Sequence, residues 1–195
     1  MVKSLMKCPE CLERIHDRAD ECPHCGMTLQ RLLPLYQHIS PLIQDGIHDV
    51  AGILNNDSRK QLRKAIQATI HQFVGINLAI SFVSLKNEQT IKTYGFWLLN
   101  QGNFNNSGTI VTGDEEGQGR VILVIDVENK QASLAYGYLL DGCIREKETF
   151  QMLSSGHANL LEGNFLKGCI LILKSLKSQL KIAVRRAKKG ARARK

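Results

Sequence analysis

The sequence predicts an α/β protein: a three-layer-like sandwich in which a small mixed sheet is flanked by helices, preceded by a small cysteine-bearing module. Three observations carry this. Val121 to Val127 is an almost unbroken apolar run, as expected of a strand covered on both faces. Arg59 to Phe73 and Phe165 to about Lys189 place apolar residues at helical spacing. Segments of the two kinds alternate in the order helix, strand, helix, strand, strand, helix, helix, which layers helices on a sheet.

Each element has its own reason. Asp57-Ser58 is the expected cap of the first long helix, with Leu62, Ala65, Ile66, Thr69, Ile70 and Phe73 inward and Gly75 as its end. Asn77 to Leu85 alternates and is rich in β-formers, so it reads as a strand. Thr90 to Leu99 reads as a helix with Ile91, Tyr94, Trp97 and Leu98 inward. Asn100 to Gly119 is rich in Gly and Asn and reads as loop, with a short extended piece at Thr109 to Thr112. Val121 to Val127 and Ala132 to Tyr138 form a hairpin around Glu128, Asn129 and Lys130. The strands 77–85 and 121–127, joined through a helix, are expected to be parallel. Glu146 to Leu161 reads as one helix, with Ser154-Ser155-Gly156 as an alternative break, and Glu162-Gly163-Asn164 as a restart. The last helix directs Phe165, Leu166, Cys169, Ile170, Leu173, Leu176, Leu180 and Val184 inward. Cys143 and Cys169 read as packing residues.

At 195 residues with 43% apolar content, the chain has room for one full domain and one small module. No run of eighteen apolar residues occurs, and Met1 to Met6 is too short for a leader segment, so the expected location is cytoplasmic. The net charge of +8 is confined to one end. Lys181, Arg185, Arg186, Lys188, Lys189, Arg192, Arg194 and Lys195 face no acid in residues 181–195, and the rest of the chain balances 18 bases against 18 acids. Such a cluster attracts nucleic acid, an anionic membrane surface or an acidic protein. The plainer reading is a solvated helix end whose cations suit the helix dipole.

Cys8-Pro-Glu-Cys11 and Cys22-Pro-His-Cys25 are two CPxC units. Each can wrap a tight turn that aims two thiolates at one point, and four sulfurs suit tetrahedral zinc. The pattern resembles the short zinc ribbons found at the start of many bacterial proteins and covers about residues 5–29. The competing reading is two disulfides in an oxidising compartment. Four protein ligands leave no open coordination position, so such a zinc would be structural. His16 and His24 read as exposed neighbours. The expected organisation is a ribbon over 1–29, an ordered connecting arm over 30–57, the α/β domain over 58–182 and a basic tail over 183–195.

Several stretches in order resemble the TPM domain family. Asp49-Val-Ala-Gly-Ile-Leu54 is similar to the family's opening aspartate and apolar turn. The helix 59–73, the strand 77–85 and Thr90-Ile-Lys-Thr-Tyr94 match its first units. Gly137 to Glu146 resembles its glycine–tyrosine corner, and Leu161 to Gly168 its last helix start. Leu139 stands where that corner has glycine, and Arg145-Glu146 where it has Thr-Asp. The resemblance covers about residues 47–182. It implies a phosphatase-like domain and a calcium or magnesium site of loop carboxylates at Asp49, Asp141 and Glu146. The alternative is that these acids are turn and helix caps.

Three functional readings follow. The first is an accessory or interaction protein that docks to an acidic partner through its basic tail. The second is a divalent-cation-dependent phosphatase. The third is nucleic-acid binding through ribbon and tail, weakened because residues 1–29 hold five acids against four bases and no aromatic residue. No P-loop, GxSxG motif or evident nucleophile–base pair occurs.

Overall fold

The computed structural model describes residues 5–16, 19–36, 41–86, 88–105, 118–137, 140 and 143–192. Two short strands come first, β1 (Leu5–Lys7) and β2 (Arg14–His16), paired antiparallel. Helix α1 (Leu29–Tyr36) follows. The main sheet then takes β3 (Leu42–Gln44), β4 (Ile47–Asp49), β5 (Asn77–Val83), β6 (Asn103–Asn105), β7 (Arg120–Asp126) and β8 (Gln131–Tyr136). Around it lie α2 (Asn56–Ile70), α3 (Ile91–Gln101), α4 (Glu146–Leu161) and α5 (Phe165–Arg192).

The sheet is mixed, in the order β6-β3-β4-β5-β7-β8. β4, β5 and β7 run parallel, from Ile47↔Ile80 to Val83↔Asp126. β8 returns antiparallel to β7 with Leu123 opposite Leu134. Both relations match the sequence reading. The chain reaches β7 from β5 through α3 and then the far edge strand β6, which pairs parallel with β3.

Strand alternation divides two cores. Leu78, Ile80, Phe82, Val121, Leu123 and Ile125 face α2, α4 and α5. Ala79, Val83, Ile122 and Val124 face α1, α3 and the cysteine module. β5 is therefore buried at every residue and β7 at all but Arg120. That explains the apolar run: a strand with helices on both sides has no wet face.

The arm between ribbon and domain supplies two strands that periodicity does not reveal. β3 and β4 turn through Asp45 and Gly46, at φ 53° and 74°, with Gln44 opposite Ile47. Two consecutive positive φ values make a two-residue hairpin turn of the type that favours Asp-Gly. A Cβ on Gly46 would lie 2.6 Å from the Leu78 carbonyl oxygen, so the site requires glycine for space as well.

Two expectations are corrected, the cap of α2 and the place of Val184, and the open question of a break in α4 is decided. Helix α2 is capped by Asn55, whose side chain accepts from the Ser58 N–H at 2.8 Å, and so begins before Asp57-Ser58. Helix α4 runs unbroken through Ser154-Ser155-Gly156. Gly156 is buried where α4 crosses α5, and a Cβ there would meet the Gly168 carbonyl oxygen at 2.3 Å. The glycine permits contact between backbones and does not break the helix. On α5, Val184 is 41% exposed while Ala183 and Ile172 take buried places. The restart at 162–164 is present. Asn164 N–H donates to the Asn159 carbonyl and Gly163 N–H to that of Leu160, closing α4 with a Schellman motif. The extended piece expected at 109–112 lies outside the described residues.

Candidate metal centre

The β1–β2 pairing brings the first CPxC unit to the end of a hairpin. Two backbone bonds shape the turn: Cys8 N–H to the Glu13 carbonyl at 2.9 Å, and Leu12 N–H to that of Cys8 at 3.0 Å. The second unit repeats the pattern, with Cys22 N–H to Met27 at 2.9 Å and Gly26 N–H to Cys22 at 2.8 Å. Leu12 and Gly26 both adopt positive φ, 65° and 69°. Glycine does so without strain and leucine does not.

The four thiols converge. Cys8 Sγ lies 3.7 Å from Cys25 Sγ, and Cys11 Sγ lies 3.7 Å from Cys22 Sγ. All four sulfurs lie within 4.8 Å of one another. Sulfurs at about 2.3 Å from a tetrahedral zinc stand about 3.8 Å apart, whereas a disulfide holds them at about 2.05 Å. All six cysteines are free thiols. The donor set is thus compatible with zinc, and the spacing differs from that of two disulfides.

Protonation follows from this crowding. Burial opposes the Cys22 thiolate, but the backbone N–H groups of Cys25 and His24 and the neighbouring thiols outweigh it and bring that thiol down to about 6. For Cys11 the Glu13 N–H favours the thiolate, yet burial and the other three cysteines push the thiol up to about 12. Burial also raises Cys8. Four sulfurs this close cannot all ionise without a cation among them. His16 and His24 are exposed and stand outside the sulfur cluster.

The module is held against the domain. Arg31 of α1 donates to the Gly26 carbonyl at 2.9 Å. Lys7 pairs with Glu146 at the start of α4, 2.7 Å apart. Cys8, Ile15, Cys22 and Met27 share one buried cluster with Leu32, Tyr36, Tyr94 and Trp97.

Of the carboxylates read as a cation site, Asp49 is fully engaged. Its Oδ1 accepts from Ile53 N–H at 3.1 Å, and its Oδ2 from Leu54 N–H at 3.1 Å and Arg59 Nη2 at 2.9 Å. Its side chain is 1% exposed. Glu146 lies in the first turn of α4, where the hydrogen bond and charge of Lys7 hold its carboxyl below the usual range. Asp141 lies outside the described residues. Among the described residues the four cysteines are the one group of three or more ligand-type side chains close enough to share a metal ion.

A cleft of about 610 Å³ opens at the carboxyl ends of β5 and β7, lined among others by Pro9 and Glu10 of the first knuckle, Lys86, Lys92 and Asp126. Asp126 is 1% exposed. Its carboxylate accepts from the Asn129 side-chain amide at 2.7 Å and the Asn129 N–H at 3.3 Å, fixing the β7–β8 turn. The sequence gives little notice of this acid, which stands inside an apolar run. His48 Nδ1 lies 3.0 Å from Ser81 Oγ, a pairing invisible in sequence. Ser81 is 0% exposed and also lies 3.4 Å from the Tyr94 hydroxyl, which places its hydroxyl inside the core. Of the terminal cations, Arg186 is held by Glu148 at 2.9 Å, Lys181 and Arg185 are exposed, and α5 extends through Arg192. Arg194 and Lys195 lie outside the described residues.

These features define a mixed α/β sandwich carrying a four-cysteine module compatible with zinc. Its fold has solved counterparts. The N-terminal domain of a protein from P. gingivalis matches with a TM-score of 0.53 at 14% identity, over 73% of this chain and 86% of that one. The N-terminal domain of the cg2496 protein from Corynebacterium glutamicum matches at 0.49 and 14% identity, over 69% and 79%. The first likeness shows a shared fold. No family model and no curated protein matches the chain. Among the described residues, no helix is long and apolar enough to cross a membrane.

Proposed function

We propose that the chain is a zinc-stabilised accessory protein of the cytoplasm. Cys8, Cys11, Cys22 and Cys25 hold one structural zinc ion. The α/β domain is of the TPM type and works as an interaction module, and the cations at the end of α5 dock it to an acidic partner. The convergence of four sulfurs carries the reading. Zinc held by four thiolates neutralises their repulsion and supplies folding energy to a module with few apolar residues of its own. It leaves no coordination position for substrate. The engagement of Asp49 by three donors and of Glu146 by Lys7 supports a binding role over a phosphatase role.

Metal content of untagged protein, measured by mass spectrometry beside a calcium titration, tests this. The expected result is about one zinc per chain and no saturable calcium response. Metal-dependent hydrolysis of a generic phosphate ester, lost on joint change of Asp49 and Glu146, would instead establish the phosphatase.

A further inference from the structure

Helix α5 runs on past the last of its described buried residues. Leu176, Leu180 and Ala183 are buried, and the helix then continues through Arg192. At 3.6 residues per turn, positions 181, 185, 188, 189 and 192 fall within an arc of about 100°, along about 16 Å of helix. All five are Lys or Arg. Arg186 stands outside that arc and is paired with Glu148. Helical geometry thus sets these five positions along one side of a helix whose earlier turns are anchored in the domain core.

The residues between the cations discriminate among polyanions. A helix that lies in a lipid interface carries Trp, Phe or Leu opposite its basic face. Here residues 182–191 offer Ile182, Ala183, Val184, Ala187, Gly190 and Ala191, and Ile182, the largest, falls beside the basic stripe rather than opposite it. Such a segment has little to bury in a bilayer, but it is slim. The major groove of B-form DNA is about 12 Å wide and admits an α-helix. The duplex presents one negative charge per about 1.7 Å, so the stripe spans roughly ten phosphates. Residues 181–192 contain no aromatic, Asn or Gln side chain; Arg185 and Arg192 of the stripe suit a base edge as well as a phosphate, which is why two unrelated duplexes are compared below.

We infer that the end of α5, Lys181 to Arg192, is a sequence-independent clamp on the phosphate backbone of double-stranded DNA. This rests on the docking part of the proposed function and names its partner. Zinc-loaded full chain is titrated into fluorescein-labelled 20-base-pair duplexes of two unrelated sequences between 50 and 200 mM KCl. Both duplexes should bind alike. Five phosphate contacts should give a log–log salt slope of about −4.5, a loss of roughly 500-fold in affinity over that range. The triple variant Arg185→Gln, Lys188→Gln, Arg192→Gln should keep the circular dichroism and melting of the parent while its slope falls to about −2. Absence of binding at 50 mM KCl, or an unchanged slope in the variant, overturns the inference. Phosphatidylserine vesicles and polyglutamate are run alongside. If either binds through the same three residues and the duplexes do not, the DNA clamp fails while docking to an acidic surface stands. If nothing binds, both fail.

Discussion

Replacing Gly156 with alanine tests how α4 and α5 meet. The new Cβ would sit 2.3 Å from the Gly168 carbonyl oxygen and 2.7 Å from Ile172 Cγ1. Carbon and oxygen normally approach to about 3.3 Å, so the helices must part by about 1 Å. The obstructing oxygen belongs to the backbone and cannot rotate away. Overpacking of this kind costs about 1–3 kcal/mol. A gap of that width also forfeits about a quarter to a half of each contact across it, and the interface is lined by Met152, Leu160, Cys169, Ile172 and Leu173. Alanine returns about 1 kcal/mol through helix propensity. The net expectation is a loss of about 3 kcal/mol, or about 6–12 °C in melting temperature for a chain of this size. Gly168→Ala is the graded control. Its Cβ would meet Leu160 Cδ2 at 2.7 Å and Cγ at 2.9 Å, and the Gly156 carbonyl oxygen only at 3.1 Å; a leucine side chain can shift where a backbone oxygen cannot, so the loss should be smaller, about 1–2 kcal/mol. Urea titration and thermal melting followed at 222 nm give both numbers. A Gly156→Ala protein as stable as the parent, or more stable, would refute the backbone contact between α4 and α5.

Other expectations follow from single sites. Leu12 occupies a left-handed position at φ 65° while 47% exposed, so Leu12→Gly should stabilise the zinc-loaded protein by about 0.5–1 kcal/mol, measured by urea titration. Burial pushes the Cys169 thiol up to about 12, so native protein at pH 8 should leave Cys169 unmodified by iodoacetamide, as peptide mass mapping would show. Burial lowers His48 below its ordinary value of 6.5; its neutral form therefore contributes stability that is complete above that value and declines as pH falls toward the folded value, and His48→Gln should flatten that part of the stability–pH curve. Trp97, the single tryptophan, is 2% exposed in the cluster that contains Cys8 and Cys22; metal chelation should shift its emission to the red while most helical ellipticity remains, and unchanged emission would show that the module is energetically separate.

The parts that were legible in the sequence are those fixed by local chemistry. Two CPxC units announce four converging sulfurs because the turn geometry is encoded within four residues. β7 was legible because a strand between two helical layers is apolar throughout. β3 and β4 were not, since three residues are too few to show a period; Asp45-Gly46 was the available sign, a two-residue turn needing positive φ twice. The cap of α2 was ambiguous because Asn55, Asn56, Asp57 and Ser58 are all good caps, and packing of Leu62 and Ile66 on the sheet sets which one closes the helix. Gly156 left a break in α4 open, because a glycine that loosens a chain and one that permits close packing look the same until the partner helix is placed. The carboxylates depended most on tertiary structure. Asp49 reads as a ligand or as a cap, and Arg59 together with the backbone of Ile53 and Leu54 decides its surroundings.

Those surroundings bear on what the domain does. In open α/β sheets, ligands bind in the crevice beyond the carboxyl ends of the parallel strands. Here β4 ends in Asp49 and β7 in Asp126, the acids such a crevice would use. Both are turned inward to hold their own loops, Asp49 through Arg59 and two N–H groups, Asp126 through Asn129. Pro9 and Glu10 of the first cysteine knuckle border the same crevice, and Lys7 anchors that knuckle to α4. A carboxylate already bound by two or three donors would have to release them before it could ligate a cation, losing about 1 kcal/mol or more for each hydrogen bond. The cleft at this place is thus walled on one side by the cysteine module, while the acids at the strand ends are committed to their own loops. The docking surface proposed above lies elsewhere, on α5, where Lys181 and Arg185 are exposed.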